Sequence, residues 1–352
     1  MCKILNNSIS IPPRKQSYVI SVLKIICAIF VVQIHTPSAL REFIDPVTRI
    51  AVPVFFMISG YFLSFAIGEF RGSYKRTFVK LLKIVIVANL IYLIAAFICP
   101  AWDPDGEPFN RLKLVNIAKL LILGRNISFH LWYLVAYLQA VGLFWLFRRI
   151  KSESLYMTLC VFCLCLNLAF GNYYFIWSDE AYSYYYWQNT FATAVPFVLI
   201  GSIIRKYENK ITMFPLLLAA LIVIPMMYVE RYLISSAIHT ALPAPDTVFT
   251  ILFAIIVFAV CVKIKDWQVG YFGRFFALMG KKHSLGLYIM HPLIYLVVRG
   301  FIPIEFLNQY GTLLVVIATL AMLIFCDFAV AAFKKYIITK DYAINHGATS
   351  VE

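Results

Sequence analysis

Apolar runs close to 20 residues long recur from one end of this 352-residue chain to the other. That is the length an α-helix needs to cross the roughly 30 Å hydrocarbon layer of a bilayer. Inside that layer the backbone must satisfy its own hydrogen bonds, so a chain built from such runs folds as a helical membrane protein. Composition agrees: 62% of the residues are hydrophobic and 14% charged, where a soluble domain carries about 45–50% and about 25%. The expected fold is an all-α membrane protein of about ten transmembrane helices, placed at 18–36, 48–68, 79–99, 128–147, 154–171, 189–204, 212–230, 247–263, 284–300 and 311–333. A single transmembrane domain over 18–335 is expected, between an N-terminal tail (1–17) and a C-terminal tail (336–352). The first run follows Arg14 and Lys15, exceeds a signal-peptide core in length and lacks a small-residue cleavage site, so it reads as a retained helix. Residues 111–125 form a shorter amphipathic stretch that either lies in the interface or dips back into the protein.

The net charge of +14 does not point to nucleic acid, because the basic residues fall in short segments between apolar runs. With the N-terminus inside, the inner segments hold 22 Lys and Arg and the outer segments eight, with Lys24 inside a helix. This bias predicts that both termini are cytoplasmic. Cys160 and Cys163 have a CxxC spacing on an apolar run. Without a second pair they read as core thiols, and no metal site is expected.

Ionisable and polar groups inside apolar helices are costly, and they carry most of the functional information. The first helix contains KIICAIFVVQIH, which places Lys24 and His35 eleven residues apart on one helix face, about 16 Å along the axis. Snorkelling of Lys24 and a helix-end role for His35 are the plain alternatives. In KKHSLGLYIMHPLI, residues Ser284, Tyr288 and His291 share a face at i, i+4 and i+7. That stripe avoids lipid and faces either a polar cavity or hydrogen-bonding partners on another helix. Arg71, Lys75, Arg76, Lys80 and Lys83 crowd the segment 71–83, as an inner-face topology signal or as a phosphate site. Asp327 calls for a cationic partner on a neighbouring helix, and Glu230 stands near an outer helix end. Residues 172–187 combine many aromatics with two acids, and 100–110 hold three acids. Such segments serve as an interfacial aromatic belt or as surfaces for a sugar.

Taken in order, these segments resemble the acyltransferase-3 family of multi-pass membrane enzymes. The family's first helix carries an Arg and, eleven residues on, a His; Lys24 and His35 stand there. A VPxFFxxSGYxL segment matches Val52 to Leu63, the basic stretch matches 71–83, and an HxWYL-like helix start matches His130 to Leu134. A late S-x-x-x-Y-x-x-H-P segment matches Ser284, Tyr288, His291 and Pro292. Two features depart from the pattern. Lys24 replaces the usual Arg, which turns a bidentate phosphate contact into a point-charge contact, and the basic stretch is richer in Lys than in paired Arg. No SGNH hydrolase-like domain is seen, which is closer to stand-alone O-acetyltransferases.

The resemblance implies a bacterial inner-membrane O-acetyltransferase. Its donor is acetyl-CoA, held by Lys24, Arg71, Lys75, Arg76, Lys80 and Lys83. Its acceptor is a hydroxyl of a glycan or lipid-linked sugar, and His35 is the general base, an imidazole being suited to proton transfer near neutral pH. Ser284, Tyr288 or His291 would orient His35 or stabilise the oxyanion, and a covalent acyl-enzyme stays open. Membrane lipid is the expected surrounding, and a homodimer is compatible with the pattern. Two other readings stand beside this one. The first is a carrier for a small solute, although matched broken helices in two halves are not evident. The second is a ligand-binding module like the membrane part of vancomycin-resistance serine racemases.

Overall fold

A computed structural model describes residues 17–69, 71–99, 113–116, 119, 128–147, 150, 152–238 and 244–347. The loop 100–110 and most of the amphipathic stretch 111–125 lie outside the described residues. Twelve α-helices are described: α1 Tyr18–His35, α2 Arg41–Thr48, α3 Ala51–Glu69, α4 Arg71–Ile98, α5 Trp132–Phe147, α6 Glu153–Phe170, α7 Val195–Tyr207, α8 Met213–Ile238, α9 Val248–Lys263, α10 Tyr271–Lys282, α11 Ser284–Phe301 and α12 Ile304–Gly347. No strand occurs among the described residues. Among the described residues, eight segments are long and apolar enough to cross a membrane, one of them joining α2 and α3 over Arg41–Ser64. The remaining two of the expected ten are shorter. One is α9, apolar and 16 residues long. The other is α7, 13 residues long and entered through a π-helical turn at Thr190–Ala194.

The expected helix boundaries hold with five differences, one being α8, expected to end at 230 and running to Ile238. The second span breaks at Arg49 and Ile50, where Arg49 turns back to pair with Asp45 at 2.9 Å. The third starts at Arg71, so the basic segment is helix rather than loop: Lys and Arg are good helix formers, and nothing after Gly72 interrupts them. The interval 263–282 contains α10, a short amphipathic helix that lies against α1. The last helix runs well past the apolar run, from Ile304 to Gly347.

Helix α1 is the central element and touches α3, α10, α11 and α12. Two crossings are so close that only glycine fits. A Cβ on Gly60 of α3 would lie 1.9 Å from the Val198 carbonyl oxygen of α7, and one on Gly201 of α7 would lie 2.0 Å from the Met57 carbonyl oxygen of α3. A Cβ on Gly280 of α10 would lie 1.7 Å from the Ser21 carbonyl oxygen of α1. Small residues that let backbones meet are the usual means of helix association in lipid, where apolar burial gives no drive.

Glu230 and Asp327 are both paired, and Glu230, expected near an outer helix end, lies about two turns inside α8. Glu230 of α8 accepts from the backbone N–H groups of Val248 (3.1 Å) and Phe249 (2.9 Å) at the start of α9, a favourable place for a carboxylate on the helix dipole. The partner of Asp327 is His283, at 3.7 Å. Cys160 and Cys163 are buried thiols in α6.

Candidate functional site

At the end of α1 the chain brings together three histidines that lie far apart in sequence. His35 ends α1, because Thr36 and Pro37 turn the chain into extended backbone. The Thr36 hydroxyl is shared with that of Thr312 on α12 at 2.8 Å, which fixes the turn. The His291 ring of α11 lies 5.6 Å from the His35 ring, with the planes 18° apart. His130, in the short 3₁₀ turn before α5, lies 5.4 Å from His291. Phe129 covers the edge of His35 at 5.0 Å.

Hydrogen bonds assign the tautomers. His130 has the Ile289 carbonyl 3.2 Å from Nε2 and the Ser128 hydroxyl 2.9 Å from Nδ1. A carbonyl only accepts, so Nε2 carries the proton and Nδ1 accepts from Ser128. His291 has the Tyr288 carbonyl 2.8 Å from Nδ1, so its proton is on Nδ1. Its Nε2 is a bare lone pair, buried and without a partner. Tyr288 donates its hydroxyl to the His130 carbonyl, and Tyr92 donates to the Ile289 carbonyl at 2.6 Å. Both bonds tie α11 to its neighbours and hold the rings in place.

His35 lines a cavity of about 330 Å³. Its walls are the end of α1, the Arg49 break, the 3₁₀ turn before α5, and two loop segments that bring Tyr184, Trp187 and Gln188 on one side and Pro245 and Asp246 on the other. Asp246 precedes α9 and is buried. Burial pushes its carboxyl up to about 6, although Asn167 and the Arg49 and Arg231 charges pull the other way. Arg49 and Arg231 converge on Asp45, with Arg231 at 2.6 Å.

Lys24 lies in the second turn of α1, about three turns from His35 and partly buried, with its ammonium 5.4 Å from the centre of the Phe62 ring. Beside Phe62, Tyr61 donates to Glu208 at 2.6 Å, and Lys265 (2.8 Å) and Arg205 pair with the same carboxylate. Burial tends to raise the Glu208 carboxyl, but the bonds from Lys265, Tyr61 and Arg205 hold it below its ordinary value. Lys75, Arg76, Lys80 and Lys83 project from α4 and are exposed. Arg71 opens that helix, and its side chain lies outside the described residues. Ser284 does not join the histidines: it opens α11, two turns before His291, and donates to the Gly280 carbonyl at 2.7 Å.

A family model described as an acyltransferase domain, that of acyltransferase family 3, matches residues 17–331. The chain belongs to acyltransferase family 3. No curated protein and no solved structure matches it significantly. With its apolar helices, this family 3 member is an integral, multi-pass membrane acyltransferase. The sequence pattern singled out His35, Tyr288 and His291, which the fold brings together. It gave His130 only a place in a motif, the HLWYL start. It took in Trp187 only as the last residue of the aromatic segment 172–187, and it gave no sign of Arg49 or Asp246.

Proposed function

We propose that the chain is a membrane O-acyltransferase that moves an acetyl group from acetyl-CoA to a sugar hydroxyl, with His35 as general base. The observation that carries this reading is the position of His35: on the wall of a cavity of about 330 Å³, backed by two histidines whose own tautomers are fixed. The acceptor O–H gives its proton to a ring nitrogen of His35, and the oxygen attacks the thioester carbonyl. The new C–O bond forms as the C–S bond breaks, and the CoA thiolate leaves, taking the proton from His35. His291 stacks on the His35 ring and holds its orientation in the cavity. His130 and Tyr288 act through position: both have their polar atoms committed to the backbone or to Ser128.

Lys24 and the basic residues of α4 suit the CoA phosphates. The bias of Lys and Arg supports reading that end, with both termini, as cytoplasmic and the His35 cavity as nearer the outer face; the bacterial inner membrane is what the family resemblance implies. The acetyl arm reaches His35 along the α1 face, past Cys27 and Val31, which are buried. Donor binding therefore parts α1 from its neighbours along that line.

The test is calorimetry with acetyl-CoA on the purified protein, together with transfer of labelled acetyl groups. Lys24→Ala weakens donor binding at least tenfold, about 1.4 kcal/mol. His35→Gln binds acetyl-CoA as the wild type does and loses transfer. Full transfer by His35→Gln refutes the base assignment. Absence of acetyl-CoA binding by the wild type refutes the donor and favours the carrier reading.

A further inference from the structure

Two residues on the wall of the His35 cavity each carry a polar atom without a hydrogen-bond partner among the described residues. Asp246 is 2% exposed and Trp187 6% exposed. Both line the cavity, and the Asp246 Oδ1 and the Trp187 indole Nε1 are buried without a hydrogen bond. A buried orphan carboxylate oxygen costs on the order of 1–3 kcal/mol or more, and an orphan indole N–H adds to that.

Looseness of the surrounding chain does not account for these orphans, because the backbone under each residue is fixed. The Trp187 carbonyl accepts from the Thr193 hydroxyl at 2.6 Å and from the Asn167 amide at 3.3 Å. The loop bearing Asp246 is clamped by Asn172, whose amide donates to the Ala244 carbonyl (2.9 Å) and the Asp246 carbonyl (2.7 Å) while its oxygen accepts from the Ala244 N–H (3.0 Å). At least five side-chain bonds thus hold the backbone of two residues that line one cavity and that each carry an unsatisfied buried polar atom.

We infer that this cavity is the acceptor subsite and holds one sugar ring, whose hydroxyls donate to Asp246 and accept from Trp187 while a neighbouring hydroxyl faces His35. The inference rests on the acyl-transfer reading above. Three features select this chemistry. A carboxylate oxygen and an indole N–H match a hydroxyl, which both donates and accepts. Aromatic faces from Trp132, Tyr184 and Trp187 line the same space and suit the apolar face of a pyranose. The volume lies at the lower end of the about 300–1,000 Å³ of small-molecule sites, which takes one ring rather than several. The exposed acids of the aromatic loop, Asp179 and Glu180, do not line the cavity. The ring can belong to a free glycan or to the head of a lipid, since the shared requirement is the hydroxyl pattern.

The experiment uses the full chain in nanodiscs with labelled acetyl-CoA. The probes are methyl and decyl glycosides of glucose, galactose, mannose, rhamnose and N-acetylglucosamine, with products read by mass spectrometry. The expected result is acetylation of at least one glycoside. Its KM rises tenfold or more in Asp246→Asn and in Trp187→Phe, at least threefold in the more exposed Gln188→Ala, and not at all in Asp179→Asn. Acetyl-CoA binding stays within twofold of wild type throughout, which also shows that each variant is folded. A preference for decyl over methyl glycosides assigns the ring to a lipid head, and equal use assigns it to a free glycan. An unchanged KM in Asp246→Asn and Gln188→Ala overturns the subsite and leaves acyl transfer standing. Wild-type protein that binds acetyl-CoA and acetylates no glycoside overturns the sugar ring. Failure to bind acetyl-CoA overturns the underlying reading instead.

Discussion

Asp246→Asn has a pH signature in stability that separates the carboxylate's charge from every other effect of the substitution. Burial raises the Asp246 carboxyl from 3.8 to about 6, so the folded protein keeps a proton that the unfolded chain has lost. Stability therefore falls as pH rises from about 4 to about 6 and is flat beyond. The fall is about two pH units at 1.36 kcal/mol each, or about 3 kcal/mol. Asn cannot ionise and escapes this loss. The substitution has its own cost, since an amide N–H₂ replaces an oxygen, but that cost is the same at every pH and cancels in a comparison. Thermal unfolding in nanodiscs, followed by tryptophan fluorescence at pH 4.5 and pH 7.5, is the assay. The stability of Asp246→Asn relative to wild type should improve by about 2 kcal/mol from the lower to the higher pH, a shift of roughly 3 °C in Tm from the per-residue unfolding entropy of folded domains. An identical difference at both pH values would refute a buried, charge-penalised Asp246. A charge kept at such a cost is the usual mark of a working group.

Other outcomes follow from the packing and the polar network. Gly60→Ala forces α3 and α7 apart at the 1.9 Å approach and should destabilise by about 1–3 kcal/mol, read as a lowered Tm at every pH. Glu208→Gln should remove an acid sensitivity. The wild-type carboxylate is held below its ordinary value, so it contributes stability above about pH 4.5 that is lost as pH falls through its folded value, and the variant shows no such drop. Tyr288→Phe removes the bond to the His130 carbonyl and should cost about 1 kcal/mol while lowering kcat more than it changes KM. His283→Ala should change Tm by less than about 1 kcal/mol equivalent, because Asp327 is 59% exposed and such pairs are weak.

The spans were legible because lipid imposes one rule on all of them, so hydropathy alone placed α1, α4 to α6, α8, α9, α11 and α12 to within several residues at most ends. Helix α10 was not legible. It is short, and it exposes Tyr271, Phe272 and Phe275, so its pattern looks like an aromatic loop. What makes it a helix against α1 is the approach of Gly280 to Ser21, a contact between residues some 260 positions apart. His35 and His291 were found from spacing within single helices, which sequence displays directly. Asp246 was not, because it stands in a proline-rich loop just before the Thr247 cap of α9, where an acid reads as a solvated turn. Its burial comes from Asn172 and from Arg231 overhead, and neither relation has a local trace.

The two ends of α1 are fastened separately. Ser21 lies under Gly280 and donates back to the Ser17 carbonyl at 2.9 Å, and the far end is held through Thr36 and by the Pro37 carbonyl, which accepts from the Thr312 N–H at 3.2 Å. A straight helix pinned at both tips behaves as a gauge of fixed length. If one tip grips the nucleotide end of the donor and the other awaits the reactive carbon, the enzyme measures its donor by the reach between them. Acetyl thioesters clipped within the arm would then be rejected for being too short, while the acyl group beyond the sulfur is judged only by the room around His35.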